Sequence, residues 1–322
     1  MPEEDFANLW SAGHLVRMGR LDWVYSSQLF QIWKQSQFGT SLRTQDWIYP
    51  PTVLLIGVPL SFLPLVPAFI LWDSATLLIA VILLRYARLP WPILIVGLLA
   101  PATWRSVLLG QYGVITGALV VAGLLLAPRY PVRAGIMLGI STLKPQQGII
   151  TPVAWLAARY WKAITAAAVT FGLMGIAIIL WLGSHAWKLF FINSSAMARG
   201  ILDALPPQPN ISTGVSVFWM CRTMGGTIAM SYSAQIAVAI VAVIFVYRAW
   251  LITDIDPLTR VAFTACCSLL ITPYGYTSDM VAFSIAVVII LSNNQWRLRL
   301  IDVFLWLWPF YCSHVTERLE YC

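Results

Sequence analysis

Residues 163–182 read AITAAAVTFGLMGIAIILWL, twenty positions without a charge. A helix rises about 1.5 Å per residue, so this run alone covers the roughly 30 Å hydrocarbon core of a bilayer. Arg159 and Lys162 stand just before it, as cations do at the cytoplasmic end of a span. Outward from it the same pattern recurs at 66–84, 89–109, 114–127, 132–143, 148–158, 234–247, 260–271, 280–291 and 300–312, with a shorter apolar run at 52–63. The reading is an all-α, polytopic transmembrane helix bundle of about nine to eleven membrane segments, several short or broken. Prolines cut many of these runs (Pro50, Pro51, Pro59, Pro64, Pro67, Pro101, Pro145, Pro152). Breaks at membrane depth are tolerated where protein or a watery cavity satisfies the freed backbone groups, so a cavity within the bilayer is expected.

Composition agrees. The chain is 59% hydrophobic and 10% charged, with a mean hydropathy of +0.77, against about 45–50% and 25% in soluble domains. Its 16 Trp suit the membrane–water interface. The net charge of +7 comes from Arg and Lys in short gaps between apolar runs, the positive-inside pattern, and no basic patch interleaved with aromatics points to nucleic acid. The five Cys make no C-x-x-C and the three His lack ligand spacing, so no metal and no cofactor are expected. Residues 1–322 read as one integral membrane domain without an internal repeat. Two polar stretches, 1–50 and 184–233, read as amphipathic helices and loops on the membrane surface. The opening Met1-Pro2-Glu3-Glu4-Asp5 shows neither a basic n-region nor an apolar h-region.

If Arg129/Arg133, Arg159/Lys162, Arg248 and Arg297/Arg299 are cytoplasmic, counting spans puts Gly110-Gln111, Lys144-Pro145-Gln146, the 184–233 loop and residues 272–279 on the opposite face. Residues 1–50 are assigned to that extracytoplasmic face too, while the topology of residues 1–88 stays open.

Carboxylates are few: nine Asp and four Glu, with none from Ser74 to Leu202. A general base comes from a short list. Asp254 and Asp256 read as a solvated loop, Asp302 as a partner of its basic flank, and Asp73 as a buried acid that needs a partner. That leaves Asp5, Asp22, Asp46, Asp203 and Asp279. No G-x-S-x-G, P-loop or G-x-G-x-x-G occurs, which disfavours nucleotide-dependent chemistry.

Four blocks together resemble glycosyltransferase family 87, polyprenol-phosphate-mannose-dependent mannosyltransferases of the C-type glycosyltransferase fold. They are Asp5-Phe6 followed by Trp10, Ala12, Gly19 and Tyr25; Tyr49-Pro50-Pro51, Pro59-Leu60 and Leu63-Pro64; Gly110-Gln111, then Arg129/Arg133, Gly135, Gly139 and Leu143-Lys144-Pro145-Gln146, closing at Arg159-Tyr160-Trp161-Lys162; and Thr272-Pro273-Tyr274, Tyr276 and Asp279. The chain departs from the family pattern in two places. The early Asp is not preceded by a span, which raises the question of a missing N-terminal transmembrane helix, and Tyr112 stands where Asn is common. The resemblance implies transfer of a hexose, mannose first, from a polyprenyl-phosphate sugar to a lipid or glycan acceptor. It implies an extracytoplasmic active site of the cell (inner) membrane and inversion with an Asp general base, which by position is Asp5.

That chemistry needs cationic donors for the leaving phosphate. Lys144, after an apolar run, and Arg105, inside one, are the candidates. Gln111, Gln146, Tyr276 and Asp279 can hydrogen-bond the sugar or acceptor, and Trp10 and Tyr49 can stack on it. Each has a plainer reading: Asp5 or Asp279 as a helix cap, Lys144 snorkelling at a span end, Arg105 paired with Asp73, Trp10 as an interface anchor. A second class of function, a transporter or flippase for a lipid or small solute, is motivated by Arg105, Asp73 and the broken helices; it is disfavoured by the absent repeats. A third reading is an inactive family member.

Overall fold

The computed structural model describes residues 4–39, 45–204 and 213–320, with side chains for 5–39, 45–204 and 213–312. Residues 205–212 of the 184–233 stretch lie outside the described residues. Among these the chain is all-α; its one β feature is an isolated antiparallel bridge between Gly214 and Tyr276. The polar N-terminal stretch folds into α1 (Glu4–Arg17), α2 (Leu21–Val24) and α3 (Ser27–Phe38), followed by α4 (Leu54–Leu60) and α5 (Leu65–Tyr86). Next come α6 (Trp91–Leu98), α7 (Pro101–Leu109), α8 (Gly113–Leu126), α9 (Pro131–Ser141), α10 (Thr151–Ala157) and α11 (Trp161–Leu182). The remainder is α12 (His185–Leu189), α13 (Ser195–Asp203), α14 (Val217–Thr223), α15 (Ile228–Leu251), α16 (Pro257–Ser268), α17 (Val281–Asn293) and α18 (Leu300–Glu320).

Among the described residues three helices are long and apolar enough to cross a membrane: α5, α11 and α15. The run 89–109 forms a fourth such element bent by 55° between α6 and α7. Pro101 opens α7 there; its ring fixes φ and removes a donor, so the chain restarts rather than continues. Shorter apolar helices occupy Pro51–Leu60, Gly113–Leu126, Val281–Asn293 and Leu300–Cys312. Along α11 the large side chains Phe171, Leu173, Ile176, Ile179 and Trp181 are exposed, and Leu180 is 82% exposed. Water would leave that apolar surface uncompensated, whereas lipid tails cover it.

The described chain divides into two compact units. The first comprises residues 1–76, 107–111 and 171–204, the second 77–106, 112–170 and 205–322. In the first, α1 lies against α4 at the closest possible range: a Cβ on Gly13 would fall 2.1 Å from the Gly57 carbonyl oxygen. Between α12 and α13 the chain makes one π-helical turn, Phe190–Ser194. It leaves Phe191 and Ile192 exposed, while Asn193 donates to the Tyr25 carbonyl (3.0 Å) and Ser194 to the Trp47 carbonyl (3.1 Å).

In the second unit α8 and α17 are buried along almost their whole length, packed on each other and on α6, α9 and α16. Small residues make this possible, because helices in lipid associate by close van der Waals packing. Polar caps set the ends. Asp256 accepts from the Thr259 N–H at 2.8 Å with Pro257 at the first position of α16, and Thr227 accepts from the Met230 N–H at the start of α15. Arg299 pairs with Asp302 at 2.8 Å as α18 begins.

Candidate functional site

The first unit contains Asp5, Trp10, Tyr49 and Gln111. Asp5 sits in the first turn of α1, half-buried. Its neighbour Phe6 is fully buried, edge-on to Phe69 at 5.3 Å, and rests on Gly110. Gly110 has φ +64°, and a Cβ there would meet Phe6 Cβ at 2.5 Å. Only glycine satisfies both demands. The turn is pinned from the other side, where the Trp72 indole N–H donates to the Gly110 carbonyl at 2.9 Å. Gln111 follows directly, and its Nε2 reaches the Tyr49 hydroxyl at 3.4 Å.

Asp5 Oδ1 accepts a hydrogen bond from Gln45 Nε2. Gln45 lies between α3 and α4, in a stretch held by a polar stripe on α3. Ser27, Gln31 and Lys34, spaced by four and three residues, share one helix face. Ser27 donates to Asp46 Oδ1 at 2.6 Å, and Gln31 Nε2 and Lys34 Nζ both donate to the Gln45 carbonyl at 2.7 Å. Lys34 is buried and also donates to Asn8 Oδ1 at 2.8 Å, while Asn8 Nδ2 donates to the Asp46 carbonyl at 3.2 Å. Asp5 and Asn8 are three apart on α1, so the 45–46 backbone is clamped between one face of α1 and one face of α3.

Trp10 stacks on His14 at 4.9 Å and donates its indole N–H to the Leu63 carbonyl at 2.9 Å. Burial, then the Arg17 charge, holds His14 below its usual value. Burial pushes the Tyr25 phenol up; its hydroxyl lies 3.4 Å from the Tyr49 carbonyl.

The second unit contains Arg105, Lys144, Gln146, Tyr276 and Asp279. Lys144 and Asp279 form an ion pair and are each 3% exposed. The glutamine that joins them is Gln147, whose Nε2 donates to Asp279 Oδ1 at 2.7 Å. Its Oε1 lies 2.5 Å from the Thr116 hydroxyl on α8. Gln146, one place earlier in the short 3-10 turn, is half-buried. Asp279 Oδ2 reaches back to the Tyr276 N–H at 3.4 Å, closing the turn before α17. The Tyr276 backbone is bridged to Gly214, and the Thr277 N–H donates to the Thr213 carbonyl at 2.9 Å. The start of α8 is pressed onto this turn, because a Cβ on Gly113 would lie 1.8 Å from the Ser278 carbonyl oxygen.

Arg105 is half-buried on α7, and its Nε is enclosed without a hydrogen-bond partner among the described residues. An enclosed guanidinium donor without an acceptor is costly, so it is suited to an incoming oxyanion. Asp73 is buried in the first unit. Among the described residues no group of three or more His, Cys, Asp or Glu is placed to hold a metal.

Asn8, Lys34, Gln45, Thr116 and Gln147 were not singled out from sequence. The 27/31/34 stripe is a periodic signal that could have found one cluster. Gln147 had no signal beyond its Gln neighbour. In comparison with known proteins, the model of one family, glycosyltransferase family 87, matches residues 47–273. No curated protein and no solved structure matches the chain.

Proposed function

Because the chain belongs to glycosyltransferase family 87 and is therefore a glycosyltransferase, we propose that it moves a hexose, mannose first, from a polyprenyl-phosphate sugar to a lipid or glycan acceptor. The reaction is placed at the extracytoplasmic face of the cell (inner) membrane. Asp5 takes the proton of the acceptor hydroxyl as its oxygen attacks the anomeric carbon. The bond from that carbon to the phosphate oxygen breaks, configuration inverts, and polyprenyl phosphate leaves.

The observation that carries this reading is the state of the Asp5 carboxylate. One oxygen is fixed by Gln45, while the other accepts no hydrogen bond from the described residues. A base needs that arrangement, with one oxygen held and one left for the substrate. The Gly110-Gln111 turn behind it belongs to the same unit, so Gln111, Tyr49 and Trp10 are assigned to the acceptor or sugar. For the leaving phosphate, Arg105 is supported by an Nε that has no partner among the described residues. Lys144 is the second assignment, with its charge already matched by Asp279. Gln146, Tyr276 and Asp279 complete the sugar-binding assignments.

The test is transfer in proteoliposomes from radiolabelled polyprenyl-phosphate-mannose to a membrane lipid extract, with glucose and galactose donors alongside. Asp5→Asn is expected to lower turnover on the order of 10²–10⁴-fold. Wild-type turnover in that variant removes Asp5 as the base.

A further inference from the structure

Resting on the reading of Asp5 as base, we infer that Gln45 and Lys34 are positioning residues for it. A carboxylate on a terminal helical turn has a free χ1 and χ2, and its reactive oxygen is not aimed by the helix alone. Here Gln45 removes that freedom with an N–H on Oδ1. The amide is itself aimed, because the Gln45 carbonyl takes two donors, Gln31 Nε2 and Lys34 Nζ, each at 2.7 Å. Lys34 ties the same point to α1 through Asn8 at 2.8 Å.

Two observations set this cluster apart from ordinary packing. First, a buried lysine is rare because its ammonium loses hydration. Lys34 is 4% exposed, on a helix whose other face offers ample surface. Second, the Gln45 amide is satisfied on one side only: its Oε1 is enclosed and accepts nothing among the described residues. A buried acceptor left unpaired is destabilising. The side chain nevertheless turns its N–H toward Asp5, so the contact with the carboxylate decides its orientation. Lys34 fixes the backbone, the backbone fixes the amide, and the amide fixes Asp5 through Oδ1, with Oδ2 left by the described residues for the acceptor hydroxyl.

The test uses the full-length protein in proteoliposomes with radiolabelled polyprenyl-phosphate-mannose and a membrane lipid extract. Gln45→Leu and Lys34→Met are expected to lower kcat about 10- to 100-fold, the scale of a misplacement near 1 Å, with KM for the donor within about twofold. Lys34→Arg, which keeps two donors, is expected to recover most of the loss. Groups acting through one carboxylate are not additive, so Asp5→Asn/Gln45→Leu should be no slower than Asp5→Asn. A merely structural role predicts that the two losses multiply. Should Lys34→Met fail to fold, the half-buried Gln45 carries the test alone. Wild-type kcat in Gln45→Leu beside a crippled Asp5→Asn overturns the positioning role and leaves the base intact. A fully active Asp5→Asn overturns the base itself.

Discussion

Removing the Asp279 carboxylate strips the Lys144 ammonium of its counter-charge and the Gln147 amide of its acceptor, all inside the second unit. Breaking a buried ion pair from one side costs about 3–5 kcal/mol, and the orphaned Gln147 N–H adds about 1 kcal/mol. Asp279→Ala should thus destabilise by about 4–6 kcal/mol. For a unit of roughly 200 residues, that lowers Tm by about 10–20 °C. Replacing both charges by apolar groups of similar size removes the penalty of a lone buried ion. Lys144→Met/Asp279→Leu is therefore expected within about 2 kcal/mol of wild type, about 2–4 kcal/mol better than Asp279→Ala alone. Thermal unfolding in detergent, followed by tryptophan fluorescence, measures wild type, Asp279→Ala, Asp279→Leu, Lys144→Met and the double variant. Additive single losses, or an Asp279→Ala cost under about 1 kcal/mol, would refute the argument. Transfer activity of the double variant then separates two roles. A stable but inactive protein keeps Lys144 in the chemistry, and a stable, active one removes it.

Gly113→Ala drives a methyl onto the Ser278 carbonyl, a backbone atom that cannot swing aside. Overpacking of that severity should cost about 3 kcal/mol or more in the same unfolding assay, whereas Gly172→Ala on α11, with nothing within 4 Å, should be neutral or slightly stabilising. His14 gives stability a pH dependence. Its proton affinity is lowered in the folded chain, so as pH falls below about 6.5 the unfolded chain binds the proton first and stability declines. The contribution is complete above that pH. His14→Phe, which keeps a ring against Trp10 and Trp33, should flatten Tm between pH 7.5 and 5.5.

The apolar runs were legible because length and charge decide them. Residues 163–182 and 66–84 recur as the cores of α11 and α5, with one or two residues added before each and two after the second. The helix expected at 234–247 starts six residues earlier, since Thr227 supplies a cap and Ser231 and Gln235 turn inward. Polar residues on a buried helix face do not lower its helicity, but they do lower its apparent hydrophobicity. The run 89–109 read as one segment cut by Pro101, and the chain bends there by 55° between α6 and α7. The polar clusters were less legible. Lys144 and Asp279 are 135 residues apart, and nothing in either neighbourhood names the other. Gln146 and Gln147 are indistinguishable in composition; in a turn of about three residues per revolution they point roughly 120° apart, so which one meets Asp279 is settled by packing. Lys34 stood in an amphipathic stretch where a cation is ordinarily solvated, and only the fold of 45–46 over α3 makes it buried.

The π-turn at Phe190–Ser194 carries one residue more than an α-turn holds. Deleting any one residue there lets the chain anneal into a single α-helix from His185 to Asp203, with ideal internal bonding. Because the wide turn absorbs that residue, its removal would leave the flanking helical segments in phase, but the Asn193 and Ser194 positions would shift off the Tyr25 and Trp47 carbonyls. What selection must preserve at this point is a count as well as a composition. A substitution can be absorbed locally, but the loss of one codon closes the wide turn and withdraws both contacts.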